Sequence, residues 1–214
     1  MQKRQIDRTG LILGVIAIAL LVAAVAARAQ SERAAPAYAA DGSLLRPGDY
    51  RTWIYLSTGL DMSYLPAAQM PGMSMFDNVF VDRAAYAGFQ KTGVWPDKTV
   101  LVLEVRKGKQ TGSINKHGRF QTGEPIGIEA HVKDTARFKG GWAFFAFDGP
   151  GPGKLIPQTV ACYSCHQAHA AADTTFVQFY PTLLPVAEAK KTLSPSYLAE
   201  RATESKPAAT PGVD

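Results

Sequence analysis

A chain of 214 residues, 46% of them hydrophobic, can bury one substantial core and needs no more than one domain. Its two cysteines exclude a disulfide scaffold. The formal charge is +5, but residues 1–29 hold four basic side chains (Lys3, Arg4, Arg8, Arg28) and one acidic (Asp7); the remainder balances 19 against 17, or +2, so no strongly basic face is implied and nucleic acid is not an expected partner.

The N-terminus reads as an export signal. Lys3, Arg4 and Arg8 precede an apolar run from Leu11 to Ala27, and Ala27-Arg28-Ala29 offers small residues at a peptidase site. Two outcomes compete: cleavage after Ala29, giving a soluble periplasmic protein, or retention of residues 11–27 as an inner-membrane anchor. Both place the domain outside the cytoplasm. Residues 30–45 read as a flexible lead-in, 46–193 as the folded domain, and 194–214, rich in Ala, Pro, Thr and Glu, as a disordered tail.

Within the domain, Pro47-Gly48-Asp49 opens a helical turn carrying Tyr50, Arg51 and Trp53, and Ile54-Tyr55-Leu56 reads as a strand. The loop from Gly59 to Met75 holds Met62, Met70, Met73 and Met75, which either pack the loop or offer a soft ligand to a metal. Phe76 to Val81 is a β-branched and aromatic strand. Arg83 to Lys91 is a helix with Gly93 as its stop. Thr99 to Val105 is the most apolar strand, followed by a polar loop from Gly108 to Gly118. Ile126 to Lys133 alternates, with Ile126, Ile128, Ala130 and Val132 facing one way and Glu129 and His131 the other. Gly141 to Phe147 is a further strand, ended by Gly149-Pro150-Gly151-Pro152-Gly153. A helix from about Thr159 precedes a second helical stretch, in which Phe176, Phe179 and Tyr180 form one aromatic face. Strands followed by helices predict an α+β class, a mostly antiparallel sheet with a C-terminal helix at one end or face.

That C-terminal helix carries Cys162-Tyr163-Ser164-Cys165-His166, both cysteines of the chain with a histidine directly after the second. Cys-x-x-Cys-His is the c-type haem attachment signature: two thiols add to two vinyl groups at one porphyrin edge, and the next residue presents an imidazole to the iron. A disulfide or a thioredoxin-like redox pair would not need His166, and no βαβ pattern surrounds the motif. A tetrahedral zinc site would want a second ligand pair. One covalently attached haem c, held by Cys162 and Cys165 with His166 as axial ligand, is the expected cofactor.

The order of motifs resembles the cytochrome P-460 family, including the cytochromes c-prime-beta, from about Asp49 to about Lys190. The resemblance is carried by Tyr50-Arg51-x-Trp53, Gly93-Val94-Trp95-Pro96-Asp97-Lys98-Thr99-Val100, Ile126-Gly127-Ile128-Glu129-Ala130, Val132-Lys133-Asp134, Arg137-Phe138, Gly141-Trp142-Ala143-Phe144, the haem motif and Phe179-Tyr180-Pro181. It implies a mostly antiparallel fold, a homodimer, and a single haem with histidine on one iron face and an open second face. Hydroxylamine-oxidising members carry a lysine linked to the porphyrin; the corresponding position here is Leu103, with Lys107 two alternations further along. Their distal carboxylate corresponds to Glu129, and their distal arginine falls near Asp77 or Asn78.

Three functions follow from these residues. The first is a haem protein binding a small diatomic or nitrogen-oxide ligand, most simply nitric oxide, under a distal cap of Leu103 and Phe76. The second is a haem-dependent oxidoreductase acting on hydroxylamine or nitric oxide, with Glu129 as acid or base. The third is an electron carrier serving a periplasmic redox partner, six-coordinate through a loop methionine. His117, His131 and His169 are further candidate ligands.

Overall fold

The structure, a computed structural model, describes residues 35–62 and 74–204. The Leu11–Ala27 run, the cleavage site, Met70, Met73 and the last ten residues lie outside the described residues. Among the described residues no helix is long and apolar enough to cross a membrane.

Six strands form one antiparallel meander in chain order: β1 (Ile54–Leu60), β2 (Met75–Val81), β3 (Val100–Lys109), β4 (Phe120–Lys133), β5 (Trp142–Ala146) and β6 (Lys154–Leu155). Among the described residues four short α-helices accompany it: α1 (Arg83–Thr92), α2 (Ala161–His169), α3 (Leu184–Lys190) and α4 (Pro195–Glu204). The protein is therefore α+β and mostly sheet. Neighbouring elements in sequence are neighbours in space, so short turns suffice to connect the sheet.

The local signals account for most boundaries. Asp82 caps α1, its carboxylate accepting from the Ala85 N–H at 2.9 Å, and Gly93 ends the helix in the left-handed region at φ 74°. β3 is apolar on both faces because both faces are covered. Val100 and Val102 join Leu44, Tyr50, Ala130, Val132, Ala143, Phe145 and Phe147 on one side of the sheet. Leu101 points to the other side, with Val81, Ala85, Phe89, Trp95, Trp142, Val177, Leu183 and Ala187.

Three expectations change. The lead-in is not wholly flexible: Leu44 is fully buried and exchanges backbone hydrogen bonds with Gly153 at 2.9 and 2.7 Å, so residues 35–45 help close the sheet face to which no described α-helix contributes a buried residue. Glycine at 153 leaves room for the Phe147 ring, since a Cβ there would stand 2.8 Å from it. The polar loop expected from Gly108 to Gly118 is shorter, because β3 runs to Lys109 and β4 starts at Phe120. Finally, residues 195–204 of the expected tail form α4. Ser194 Oγ accepts from the Tyr197 N–H at 3.2 Å, and Leu193 and Tyr197 pack on the helix-side core. A serine cap followed by proline starts this helix despite its low hydrophobicity.

On the side away from the helices, Glu104 is 2% exposed. The Tyr50 hydroxyl, Arg51 Nε (2.7 Å) and Arg106 Nε donate to its carboxylate, tying the 3-10 turn Tyr50–Thr52 to β3. Burial pushes this carboxyl up, but the donors from Arg106, Tyr50 and Arg51 outweigh it and hold it below the usual range.

Candidate functional site

Helix α2 has no buried residue. Its inward stripe is made instead of Cys162, Cys165 and His166, at helical spacings of three and four that put them on one face. Both thiols are free, and all three side chains line a cavity of about 530 Å³ between α2 and the sheet. The helix is fastened at both ends. The Tyr163 hydroxyl donates to the Ile156 carbonyl at 3.0 Å and accepts from the Phe144 N–H at 3.1 Å. Gln178 donates to the His169 carbonyl at 2.8 Å, and Ser194 donates to that of Ala170 at 2.7 Å.

The facing wall comes from alternate residues of neighbouring strands: Asp77 and Val79 of β2, Leu101 and Leu103 of β3, Glu129 and His131 of β4. Leu103 stands in register between Val79 and Glu129, which puts it mid-wall. Ser57, Gly59 and Met62 line the cavity on the β1 side, and Phe176, Phe179 and Tyr180 close it beside α2. Glu129 is reachable by water through the cavity, yet protein surrounds much of it. That partial burial, with the charge of Asp77 nearby, pushes its carboxyl up; Asp77 is pushed up by burial and by Asp61.

His166 sits in an aromatic box, with ring centroids 4.1 Å from Phe176, 4.6 Å from Phe144 and 5.0 Å from His131. Its Nδ1 lies 2.8 Å from the Thr174 carbonyl. A carbonyl can only accept, so Nδ1 carries the proton and Nε2 keeps the lone pair a metal needs. Burial lowers the His166 pKa, with the Thr174 bond opposing, which favours the neutral ligand form. His131 is 9% exposed and stacks on Phe144 at 4.0 Å and 12°. Its Nε2 is buried without a hydrogen-bond partner, and burial followed by the neighbouring His166 holds the ring neutral, well below its ordinary pKa. Its edge contact with His166 places it beside that ring and not across the cavity from it.

A family model describing cytochrome P460 matches residues 47–177. The chain belongs to the cytochrome P460 family. It is a haem-binding cytochrome, and the cavity suits the group: its volume falls within the roughly 300–1,000 Å³ of cofactor pockets, its walls are mainly apolar, and a histidine with a free Nε2 lines it. No curated protein matches the chain. The P460 match includes Cys162, Cys165 and His166, whereas Phe179-Tyr180-Pro181 and helices α3 and α4 lie beyond it.

The structure brings Cys162, Cys165, His166, Leu103 and Glu129 to this one cavity. Phe76 is corrected: it is not in the lining, because Asp77 and Val79 take the cavity side of β2 and pleating turns Phe76 to the opposite face. Lys107 is exposed and outside the lining, and among the described lining residues there is no lysine or arginine. Of the candidate histidines only His131 reaches the cavity; His169 is exposed and pairs with Glu200. Met62 alone of the four methionines lines it among the described residues. The site roles of Phe144 and Thr174 are not legible in the sequence. Phe144 reads as one aromatic in an all-apolar strand, and Thr174 acts through its backbone, which no side-chain pattern announces.

Proposed function

We propose that this P460-family protein is an exported cytochrome carrying one covalently attached haem c, with Cys162 and Cys165 as attachment residues, His166 as axial ligand, and an open opposite side that takes a small neutral nitrogen-oxide ligand, nitric oxide above all. The observation that carries this reading is the wall facing α2, where Val79, Leu101 and Leu103 present hydrocarbon and no lysine is among the described lining residues. When bound, the haem supplies the redox-active iron and its open coordination position. The chain's own part is to hold the His166 ring with a defined tautomer, to keep water sparse along an apolar wall, and to withhold cationic donors that would favour anionic ligands. Leu103 supports an unmodified porphyrin, since a hydrocarbon cannot form the lysine link of the hydroxylamine-oxidising members.

A second reading, a haem-dependent oxidoreductase acting on hydroxylamine or nitric oxide, is favoured by Glu129. Its carboxyl faces the cavity with a raised pKa and could hold or pass a proton there. A third, an electron carrier, rests on Met62 at the rim. In all three the basic start and apolar run of residues 1–29 support delivery to the periplasm, soluble or tethered by residues 11–27, where a redox partner would meet it; homodimer assembly follows from the family resemblance.

Absorption spectra of the ferrous haem-loaded protein, with and without carbon monoxide and nitric oxide, test these readings. Rapid binding of both with poor hydroxylamine turnover is expected. An unreactive six-coordinate spectrum would favour the carrier, and brisk hydroxylamine oxidation the enzyme. Haem that extracts freely into acidic solvent would rule out covalent attachment. N-terminal sequencing should start at Gln30 if the signal is cleaved, and equilibrium sedimentation reads the assembly state.

A further inference from the structure

Immediately after α2 the chain passes through two consecutive left-handed residues, Asp173 at φ 49° and Thr174 at φ 56°. Neither is glycine, and a β-branched threonine is especially ill-suited to that region, so something must hold the turn. The Asp173 carboxylate does so by accepting from three donors. Its Oδ2 takes the Trp95 N–H at 3.0 Å and the Lys133 ammonium at 2.6 Å, while its Oδ1 takes the Trp142 indole N–H at 3.2 Å. Lys133 Nζ also donates to the Trp95 carbonyl at 2.8 Å, and both charged side chains are largely withdrawn from water, at 13% and 17% exposure. One residue further on, Thr175 Oγ1 accepts from the Trp95 indole at 2.8 Å and donates to the Ala172 carbonyl at 2.7 Å. The strained turn is thus fastened to β4, to β5 and to the segment before β3, and the carbonyl it exposes is the one that accepts from His166 Nδ1.

We infer that Asp173, held by Lys133, is a positioning residue for His166: the ion pair locks the left-handed turn that aims the Thr174 carbonyl at Nδ1. This rests on the reading of His166 as the axial ligand. The bond at Nδ1 fixes the ring's rotation and makes Nε2 a stronger donor to a metal, the usual effect of an outer partner on a ligating histidine. Lys133 matters because a carboxylate withdrawn from water needs a cation nearby to stay charged and keep all three donors. The pairing joins distant parts of the sequence, which is why Lys133 reads only as the end of a strand and Asp173 only as the start of the second helical stretch, where the structure has a left-handed turn instead.

The test uses the full haem-loaded chain. The iron–histidine stretch of the ferrous protein is measured by resonance Raman, and loss of the axial histidine after nitric oxide addition by stopped-flow absorption. Asp173→Ala should move the stretch to lower frequency and speed histidine loss by up to about 10-fold, the low end of the effect of removing an outer partner outright, since the Thr174 carbonyl itself remains. Asp173→Asn, which keeps an acceptor, should fall between that variant and the wild type, and Lys133→Met should shift both readouts in the same direction. Leu183→Ala, in the same helix-side core, is the control: it should lower the thermal midpoint and leave both readouts unchanged. If the Asp173 and Lys133 variants lose thermal stability as Leu183→Ala does yet keep the wild-type stretch and release rate, the inference is overturned. If Asp173→Ala does not fold, Asp173→Asn and Lys133→Met decide by the same criteria. A wild-type ferrous protein that is five-coordinate yet shows no iron–histidine stretch would overturn the ligand reading itself, and the inference with it.

Discussion

Glu104 and Glu129 stand on neighbouring strands, one register step apart, and serve opposite faces of the same sheet. Glu104 is sealed in and receives a tyrosine and two arginines. Glu129 faces the cavity, with no cation among the described residues lining it and another carboxylate, Asp77, nearby. Environment moves the two acids in opposite directions, one pKa down and the other up. The contrast extends to the whole faces. One is packed with Leu44, Val102, Val132 and Phe145 and has its buried charge compensated. The other gives part of its area to a cavity lined by thiols, two histidines and uncompensated acids. A fold spends stability where chemistry is needed, and the satisfied face supplies it.

The largest way to break the comparison is on the cavity face alone. Cys162→Ala with Cys165→Ala should abolish covalent haem retention completely, read as loss of the haem mass increment and full extraction into acidic solvent. Circular dichroism should still report the strand signal, because the opposite core is untouched.

Next come changes on the closed face. Phe145→Ala removes a fully buried ring and should cost about 3–5 kcal/mol in urea unfolding. Glu104→Leu leaves Arg106 and the Tyr50 hydroxyl without their acceptor and should fall near the low end of about 3–5 kcal/mol, since Arg51 is half exposed and can turn to water.

The two acids should also give stability–pH slopes of opposite sign. Glu104, with its folded pKa depressed, contributes stability that is present above the ordinary glutamate range and is lost as pH falls through the folded value. Glu129, with its folded pKa raised, binds a proton in the folded state that the unfolded chain has already released. Stability should therefore fall as pH rises from the ordinary glutamate range through the raised value. Urea midpoints from pH 3 upward should show Glu104→Gln removing the first slope and Glu129→Gln the second.

The smallest expected effect is on neutral-pH stability in Glu129→Gln, a small gain over wild type, because no hydrogen bond or ion pair is lost and a charge that folding disfavours is removed. The same variant should flatten any pH dependence of ligand binding at the haem. A loss of several kcal/mol would mean that Glu129 is paired as tightly as Glu104, and the contrast between the faces would fail.

Much of this was legible because it is local. Cys162, Cys165 and His166 fall within five residues, so helical periodicity alone sets them on one face. The alternation of β4 assigned Glu129 and His131 to one side and Ala130 and Val132 to the other, and the structure keeps that split. Gly93 bounded α1 from sequence because caps act within a turn of themselves, whereas the Asp82 cap showed only in the structure. β2 misled: Phe76 looks like a wall residue, yet pairing with β3 turns Asp77 and Val79 to the cavity instead.

By itself, then, the sequence determined the Cys-x-x-Cys-His spacing, the strands with their two-faced patterns, and an α+β class, since each follows from spacings of a few residues. Tertiary structure decided what those faces meet. It brought Leu44 under the sheet, folded α4 out of an apparent tail, and clasped Glu104 with donors from two separate segments. It also set the Thr174 carbonyl against His166 through a pair formed by Lys133 and Asp173, 40 residues apart. Ion pairs and backbone acceptors carry no periodicity, and their partners exist only once the chain has closed on itself.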